Sequence, residues 1–398
     1  MLSRHPGTTL LLNDAQAAEI RSQFPILRHK VYLNSCSQGA LCEAVEAGLR
    51  EYLESWHAHG SPWDLWVDHY EQARTLFARF IGADADEVAI VTSASEGINS
   101  LASALLFRER KKVVMGEFEF PTMGHIWLAQ RPRGAEIEFI AARDNRVAIE
   151  DYAARIDRNT LIVPLTRVCF ANGFRSPVRE VVAAAHDKGA LVLLDDFQDA
   201  GTRPVDVKAL GVDFYVTGTL KYLLGSPGLA FLYVRRELIP ALVPTVTGWF
   251  GQANPFAFDV KHLDPAPSAR RFQSGSPPVP SIYSTVPGLK LLMNTGMENV
   301  AERVQHLTRK LMEGAEKLGI ESKTPADSVG PLVVLRAHDA EALVKKLAER
   351  DIAASARRDG LRISFHLYNS DQDVQSLLMA LEHNLDLLVT KHPAAAGH

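Results

Sequence analysis

Four short polar stretches, each following an apolar run, carry residue types that can do chemistry together. TSASEGIN (92–99) puts small hydroxyl residues ahead of the helical pattern GINSLASALL (97–106). Ser95 and the backbone amides of 94–97 then lie at the positive end of a helix, where a phosphate is well held. LVLL (191–194) is followed by Asp195, Asp196, Phe197, Gln198 and Asp199. A carboxylate at such a strand end, Asp195, can keep a pyridinium nitrogen protonated, so that the ring accepts electrons from a carbanion. Gln198 can donate to an aryl oxygen. Lys221 follows DFYVTGT (213–219) and Leu220, an apolar neighbourhood in which desolvation lowers the amine pKa towards Schiff-base chemistry. Gly218 and Thr219 before it and GSPG (225–228) after it let the backbone approach a ligand closely. Phe120, with Pro121 and Thr122, follows KVVMGEFE (112–119) and can stack on a planar ring.

Each stretch alone has a bland role: a serine caps a helix, a loop lysine is solvated, a phenylalanine fills a core. Together they supply a phosphate cradle, a ring stacker, a pyridinium acid and a Schiff-base lysine, the set that pyridoxal 5'-phosphate requires. Lys221 lies one βα unit beyond Asp195, so the two can meet around one ring at the carboxyl ends of a sheet. The clustered acids lack nearby histidines and calcium-loop spacing, which speaks against a metal. No GxGxxG follows the first strand, which speaks against a dinucleotide fold.

The elements that must position these groups alternate. Apolar runs at EVAIVTS (87–93), KVVMG (112–116), EIEFIA (136–141), LIVPLTRV (161–168), LVLLDD (191–196), DFYVTGT (213–219) and LAFLYV (229–234) are separated by helical patterns. This predicts seven strands of a mostly parallel sheet covered on both faces, a three-layer α/β domain. Residues 240–280 are rich in Pro, Gly, Phe and Trp with little periodicity, as in a crossover between domains. Val300, Val304, Leu307 and Leu311 then recur at helical spacing, and PLVVL (331–335) and LRISF (361–365) alternate with helical stretches 339–350 and 371–389. The expected division is an N-terminal segment (1–30), a large domain (31–265) and a small C-terminal α/β domain (266–398).

At 398 residues with 46% hydrophobic residues, the chain exceeds the ~250–300 residues at which one core stops growing. Its 43 basic and 47 acidic residues give a net charge of −4 with no basic block, so a nucleic-acid partner is not expected. Cys36, Cys42 and Cys169 have no CxxC spacing and cannot form a disulfide framework, which fits a reducing cytoplasm. MLSRHPGTTLLLNDAQ is too short in apolar residues for a signal segment. No stretch nears the ~20 apolar residues needed to span a bilayer, so a soluble protein is expected, ending in a loose HPAAAGH tail.

YLNSCSQG (32–39), TSASEGIN, LLDDFQDAG (193–201), GTLKYLLGSPG (218–228), RRFQSGSPP (270–278) and RISFHLYNS (362–370) resemble, block by block and in order, the fold-type I PLP enzymes of the class V aminotransferase family. That family includes cysteine desulfurases, selenocysteine lyases, isopenicillin N epimerases and kynureninases. The resemblance implies an internal aldimine on Lys221, Asp195 at the pyridine nitrogen, Gln198 at the phenolic oxygen, and Ala94 and Ser95 at the phosphate. It implies further cofactor contacts from Thr219, Trp249 and Phe120, and substrate contacts from Asn34 and from Arg362, which grips an α-carboxylate. Ser276 stands where the family reaches the neighbouring subunit's phosphate, implying a homodimer. FPT (120–122), KYL (221–223) and GWFG (248–251) lean towards kynureninases, yet Leu220 replaces their tyrosine and Gln198 their histidine. AASARRDG (353–360) lacks the desulfurase cysteine, and Leu220 also replaces the desulfurase histidine. The implied activity is transamination or C–S or other side-chain lysis of a small amino acid. Kynureninase-like hydrolysis, epimerisation and non-catalytic binding stand as alternatives. Arg167, Arg357, Arg358 and His366 read as surface charges near this site.

Overall fold

A computed structural model describes residue 12 and residues 14–391. The HPAAAGH tail and most of the opening stretch lie outside the described residues. Among those described, no helix is long and apolar enough to cross a membrane.

After a two-residue strand β1 (Val31–Tyr32), all seven apolar runs become strands of one sheet. They are β2 (Val88–Val91), β3 (Lys112–Gly116), β4 (Glu136–Ile140), β5 (Thr160–Thr166), β6 (Leu191–Asp195), β7 (Phe214–Gly218) and β8 (Ala230–Val234). Their spatial order is β2-β8-β7-β6-β5-β3-β4, and only β8 runs antiparallel to its neighbours. The other six therefore end on one edge. Lys221, Asp195, Thr166 and Phe120 follow or close β7, β6, β5 and β3, which are successive neighbours there.

Helices α1 (Asp14–Ser22), α2 (Glu43–His59) and α3 (Trp63–Phe80) precede the sheet. α4 (Ala94–Ala104), α5 (Pro121–Leu128), α6 (Ile149–Arg155), α7 (Val178–Asp187) and α8 (Val207–Leu210) connect its strands. Because strand side chains alternate, each strand feeds two cores. Val192 and Leu194 join Val178, Val181 and Val182 of α7 on one face, where Phe77 stacks on Phe231 at 3.8 Å. Leu193 joins Ile98 and Leu101 of α4 on the other. Each of these side chains contributes roughly 1.5–3 kcal/mol by leaving water, which fixes the strand ends from which the polar groups project.

The stretch 240–280 folds into 3₁₀ turns, including Trp249–Gly251, Pro255–Ala257 and Ala269–Phe272. α9 (Val279–Thr295) then packs along α2 and α3 and leads into α10 (Met297–Lys317). β9 (Leu332–Arg336), α11 (Ala340–Ala348), β10 (Ile352–Ala353), β11 (Ser355–Arg357), β12 (Gly360–Ser364) and α12 (Asp371–Glu382) complete the chain's regular structure. β11, β12 and β9 form an antiparallel sheet over its own core. The helical pattern at 371–389 gives a shorter helix than expected. A capping box between Ser370 and Asp373 starts α12, and the chain passes into a 3₁₀ turn at Leu385–Leu387. β1 pairs in parallel with β10, and Asn34 bridges to Ser364, so the YLNSCSQG block runs beside the C-terminal sheet.

Candidate active site

At the sheet's carboxyl edge lies a cavity of about 270 Å³, whose walls include Ala94, Ser95, Phe120, Asp195, Gln198 and Lys221. Six of the residues singled out from sequence thus converge on one space. Phe170, Phe197, Val168 and Ile98 give the remaining wall its apolar character.

Lys221 follows β7 and is half-buried, with no hydrogen bond or ion pair among the described residues; its Nζ lies 4.3 Å from the centre of the Phe197 ring and 6.0 Å from that of Phe120. Burial brings its pKa down from 10.5 to about 8, against the opposing pull of Asp195 and aided by Arg362 and Arg357. A group depressed in this way disfavours the folded state once protonated. This penalty is complete below pH 8 and disappears as the pH rises past 10.5. In cofactor-free protein, an amine-directed acylating reagent should label Lys221 with a midpoint near pH 8. A midpoint near 10.5 would show a solvated lysine instead.

Asp195 ends β6, and its Oδ1 accepts from the Phe197 amide at 2.9 Å. Burial raises its pKa, while the Phe197 amide and the Lys221 charge pull it back. Gln198 donates Nε2 to the Cys36 carbonyl at 3.1 Å, and its Oε1 is buried without a partner. An orphaned acceptor of this kind is costly unless something else in the cavity meets it. At the other end Ser93 caps α4 by accepting from the Glu96 amide at 3.1 Å. The Ala94 and Ser95 amides open the helix, where no intrahelical acceptor exists, and the Ser95 hydroxyl donates to Thr122 at 3.3 Å. Two hydroxyls, open amides, an apolar slot, a carboxylate and an amine fit a phosphorylated pyridine aldehyde end to end.

Two motif glycines hold the lysine segment. A Cβ on Gly39 would stand 2.2 Å from the Lys221 carbonyl oxygen, and one on Gly201 2.2 Å from that of Tyr222. Gly39 also donates its amide to the Leu220 carbonyl at 2.8 Å. Gly39→Ala must therefore displace Lys221, with an expected loss of about 1–3 kcal/mol in stability and of cofactor retention on dialysis. Unchanged retention would show that the contact is dispensable.

Other predicted residues are placed elsewhere. Thr219 gives its hydroxyl to the Ser226 and Leu229 carbonyls at 2.8 and 3.2 Å and lines neither this cavity nor the one beside it. The GSPG loop packs on it, since a Cβ on Gly225 would meet Thr219 at 2.8 Å. Trp249 stacks with Phe258 at 6.1 Å in the 247–264 excursion, and Ser276 is exposed on a bend. Asn34 receives a 3.8 Å contact from the Cys36 thiol. Arg362 is buried, donates to the Cys36 carbonyl at 3.2 Å and leaves Nε unpartnered. It lines neither cavity, although its charge reaches Lys221.

Two residues read as surface charges are buried instead. Arg167 lies against Asp196 at 3.2 Å and Asp199 at 3.9 Å beneath the 195–199 loop, because those acids need a counter-charge. His366 shares an Nε2 hydrogen bond with the Tyr222 carbonyl at 2.8 Å and accepts from the Leu367 amide at Nδ1, so its ring is neutral and Nε2 donates. Burial lowers its pKa to about 4. All three cysteines are buried, as packing residues should be. Burial also pushes Cys169 up to about 11, far from a thiolate at neutral pH.

Residues 31–377 match the family model described as Aminotransferase class-V. An uncharacterised aminotransferase of Bacillus subtilis is 33% identical over 358 residues, covering 90% of this chain and 95% of the relative. A kynureninase of Deinococcus radiodurans is 29% identical over 390 residues, covering 93% and 94%. Among solved structures, an apo cysteine desulfurase of Thermococcus onnurineus superposes with a TM-score of 0.85 at 21% identity, covering 96% of this chain and 99% of that one. The shared architecture is that of fold-type I.

Proposed function

This chain belongs to the class-V aminotransferase family, and from that premise we propose how its own residues serve a pyridoxal 5'-phosphate-dependent reaction on the α-amino group of a small amino acid. The carrying observation is Lys221, a largely desolvated amine without a hydrogen-bond partner among the described residues, one strand away from the Asp195 carboxylate in a single cavity. Ala94, Ser95 and Thr122 hold the phosphate, Phe120 covers the ring, Asp195 pairs with the ring nitrogen and Gln198 meets the phenolic oxygen. When bound, the cofactor supplies an electron sink for a carbanion at the substrate's α-carbon.

The chain's own groups do the rest. Lys221 anchors the cofactor and, once displaced by the substrate amine, takes the α-proton at Nζ; a pKa near 8 leaves a useful fraction of free base at neutral pH. Ile98, Val168, Phe170 and Phe197 keep water from the reacting carbon. Arg362 and Asn34 receive the α-carboxylate, which requires the Cys36 carbonyl to release one arm of the guanidinium.

Transamination or C–S or other side-chain lysis is the reaction class that this site supports. AASARRDG carries no thiol and Cys169 is held as the neutral thiol, which argues against a persulfide-forming desulfurase. Visible absorbance during addition of cysteine, alanine, glutamate and kynurenine decides between the branches. An aminotransferase loses the cofactor band with its donor and regains it with a keto acid. A lyase recovers the band unaided while product accumulates. A protein with no cofactor band would contradict the reading as a whole.

The protein is proposed to work in the cytoplasm, in keeping with three free cysteines, and as a homodimer. Phe256 is 50%, Phe258 70%, Val260 94% and Leu263 60% exposed on the 247–264 excursion, a group of apolar side chains of the kind that marks an interface. Trp249 and Ser276, on or near that excursion, would complete the partner's phosphate site. Val260→Asp with Leu263→Asp should shift sedimentation from dimer to monomer, and an unshifted dimer would place the interface elsewhere.

A further inference from the structure

A second cavity opens on the far side of Phe120 and Phe170. It measures about 830 Å³, and Lys323, Arg357 and Arg358 are among its lining residues. Phe120 and Phe170 line both cavities, and their rings meet edge to face at 5.0 Å. The aromatic pair is therefore a wall that the space beside Lys221 and the second space share.

The charges around that space are unbalanced. Lys323 is paired with Asp359. Arg357 bonds only the neighbouring Ala356 carbonyl, at 2.8 Å, and Arg358 makes no ion pair among the described residues. Of the two carboxyl groups on the wall, Glu117 accepts from the Ala142 amide at 3.1 Å. Glu119 is buried beside Asp195 and accepts from the Thr166 amide at 2.9 Å, and burial pushes its pKa well above the ordinary value. Arg358 stands at φ +53° on the turn between β11 and β12, a left-handed conformation that a long side chain rarely adopts. That turn sets two consecutive guanidinium groups at the cavity wall, and the Arg357 charge reaches Lys221.

We infer that the second cavity is the side-chain subsite, and that Arg357 and Arg358 make it select amino acids whose side chain ends in a carboxylate. The inference rests on the pyridoxal phosphate reading and names the substrate class for that same site. A carboxylate at that depth meets planar donors suited to bidentate binding, while the α-carboxylate remains for Arg362.

The test uses the holoenzyme and ligands that lack an α-proton, so that binding is read without turnover. Visible titration gives Kd for 2-methylaspartate, 2-methylglutamate and 2-methylalanine. We expect an acidic ligand to bind about 10-fold or more tightly than 2-methylalanine, the factor corresponding to one charge-assisted hydrogen bond. Arg357→Gln with Arg358→Gln should bring that ratio close to one, and Arg357→Glu with Arg358→Glu should turn the preference towards 2-methylornithine. Both arginines are exposed, so the fold tolerates these changes. A wild-type enzyme without acidic preference, or a preference that survives both double variants, overturns the inference and leaves the cofactor reading standing. A purified protein with no cofactor band overturns both.

Discussion

Lys221→Ala should lower turnover by about 10³-fold or more, the scale on which a positioned proton-transfer group acts, while the protein still folds and retains pyridoxal phosphate non-covalently. Nothing in the cavity can take over its task, because no second lysine lines it. In cofactor-free protein the amine also costs the fold stability, so the cofactor-free alanine variant should unfold at a higher denaturant concentration at pH 7, where the native Lys221 is charged against its environment. A small diffusible amine such as methylamine should restore part of the rate. Equal turnover in wild type and variant, measured with the amino acid that gives the largest spectral response, would remove Lys221 from the reaction.

Asp195→Asn should lower turnover by roughly 10²–10³-fold, the scale for deleting one preorganised electrostatic group, with the cofactor still attached. The asparagine keeps the acceptor for the Phe197 amide but removes the charge, so the fold at the end of β6 is preserved and only the hold on the ring nitrogen weakens. Asp195→Glu retains the charge and should recover part of the loss. Two variants of equal activity would mean that the carboxylate acts only on loop structure. The sign of the pH effect follows from the same environment. Burial raises the Asp195 pKa from its ordinary value, so on acidification its charge is lost earlier than that of an exposed aspartate.

The strand ends were legible because β2, β3, β6 and β7 are almost continuously apolar and the residues that close or follow each lie at the sheet's carboxyl edge. That placed Lys221, Asp195, Phe120 and Ser95 together before any coordinates. The order of the strands was not legible. β8 inserts between β2 and β7 and reverses direction, and an apolar run has no mark of which neighbour it will pair with. The three-residue strand β11 and the β1–β10 pair are too short to show a period.

Within the site, the missed residues act through geometry that sequence does not encode. Phe197 stood in plain view between Asp196 and Gln198, yet only the fold shows its ring 4.3 Å from the Lys221 amine. Phe170 follows an apolar run just as Phe120 does, and its place after β5 was the available signal. The Cys36 carbonyl joins Gln198 to Arg362, and a backbone acceptor leaves no trace in residue type. Arg167 and His366 were read as surface charges because a single sequence shows no burial. Their partners, Asp196 with Asp199 and the Tyr222 carbonyl, become evident only when the strand ends meet.

The central claim is that one lysine carries the cofactor. Borohydride reduction of the holoenzyme, followed by proteolysis and mass mapping, tests it most directly. The account predicts that the pyridoxyl mass appears on Lys221 within GTLKYLLGSPG and on no other lysine. Recovery of the adduct on a different lysine, or of unmodified peptide from protein that had shown the cofactor band, would contradict it.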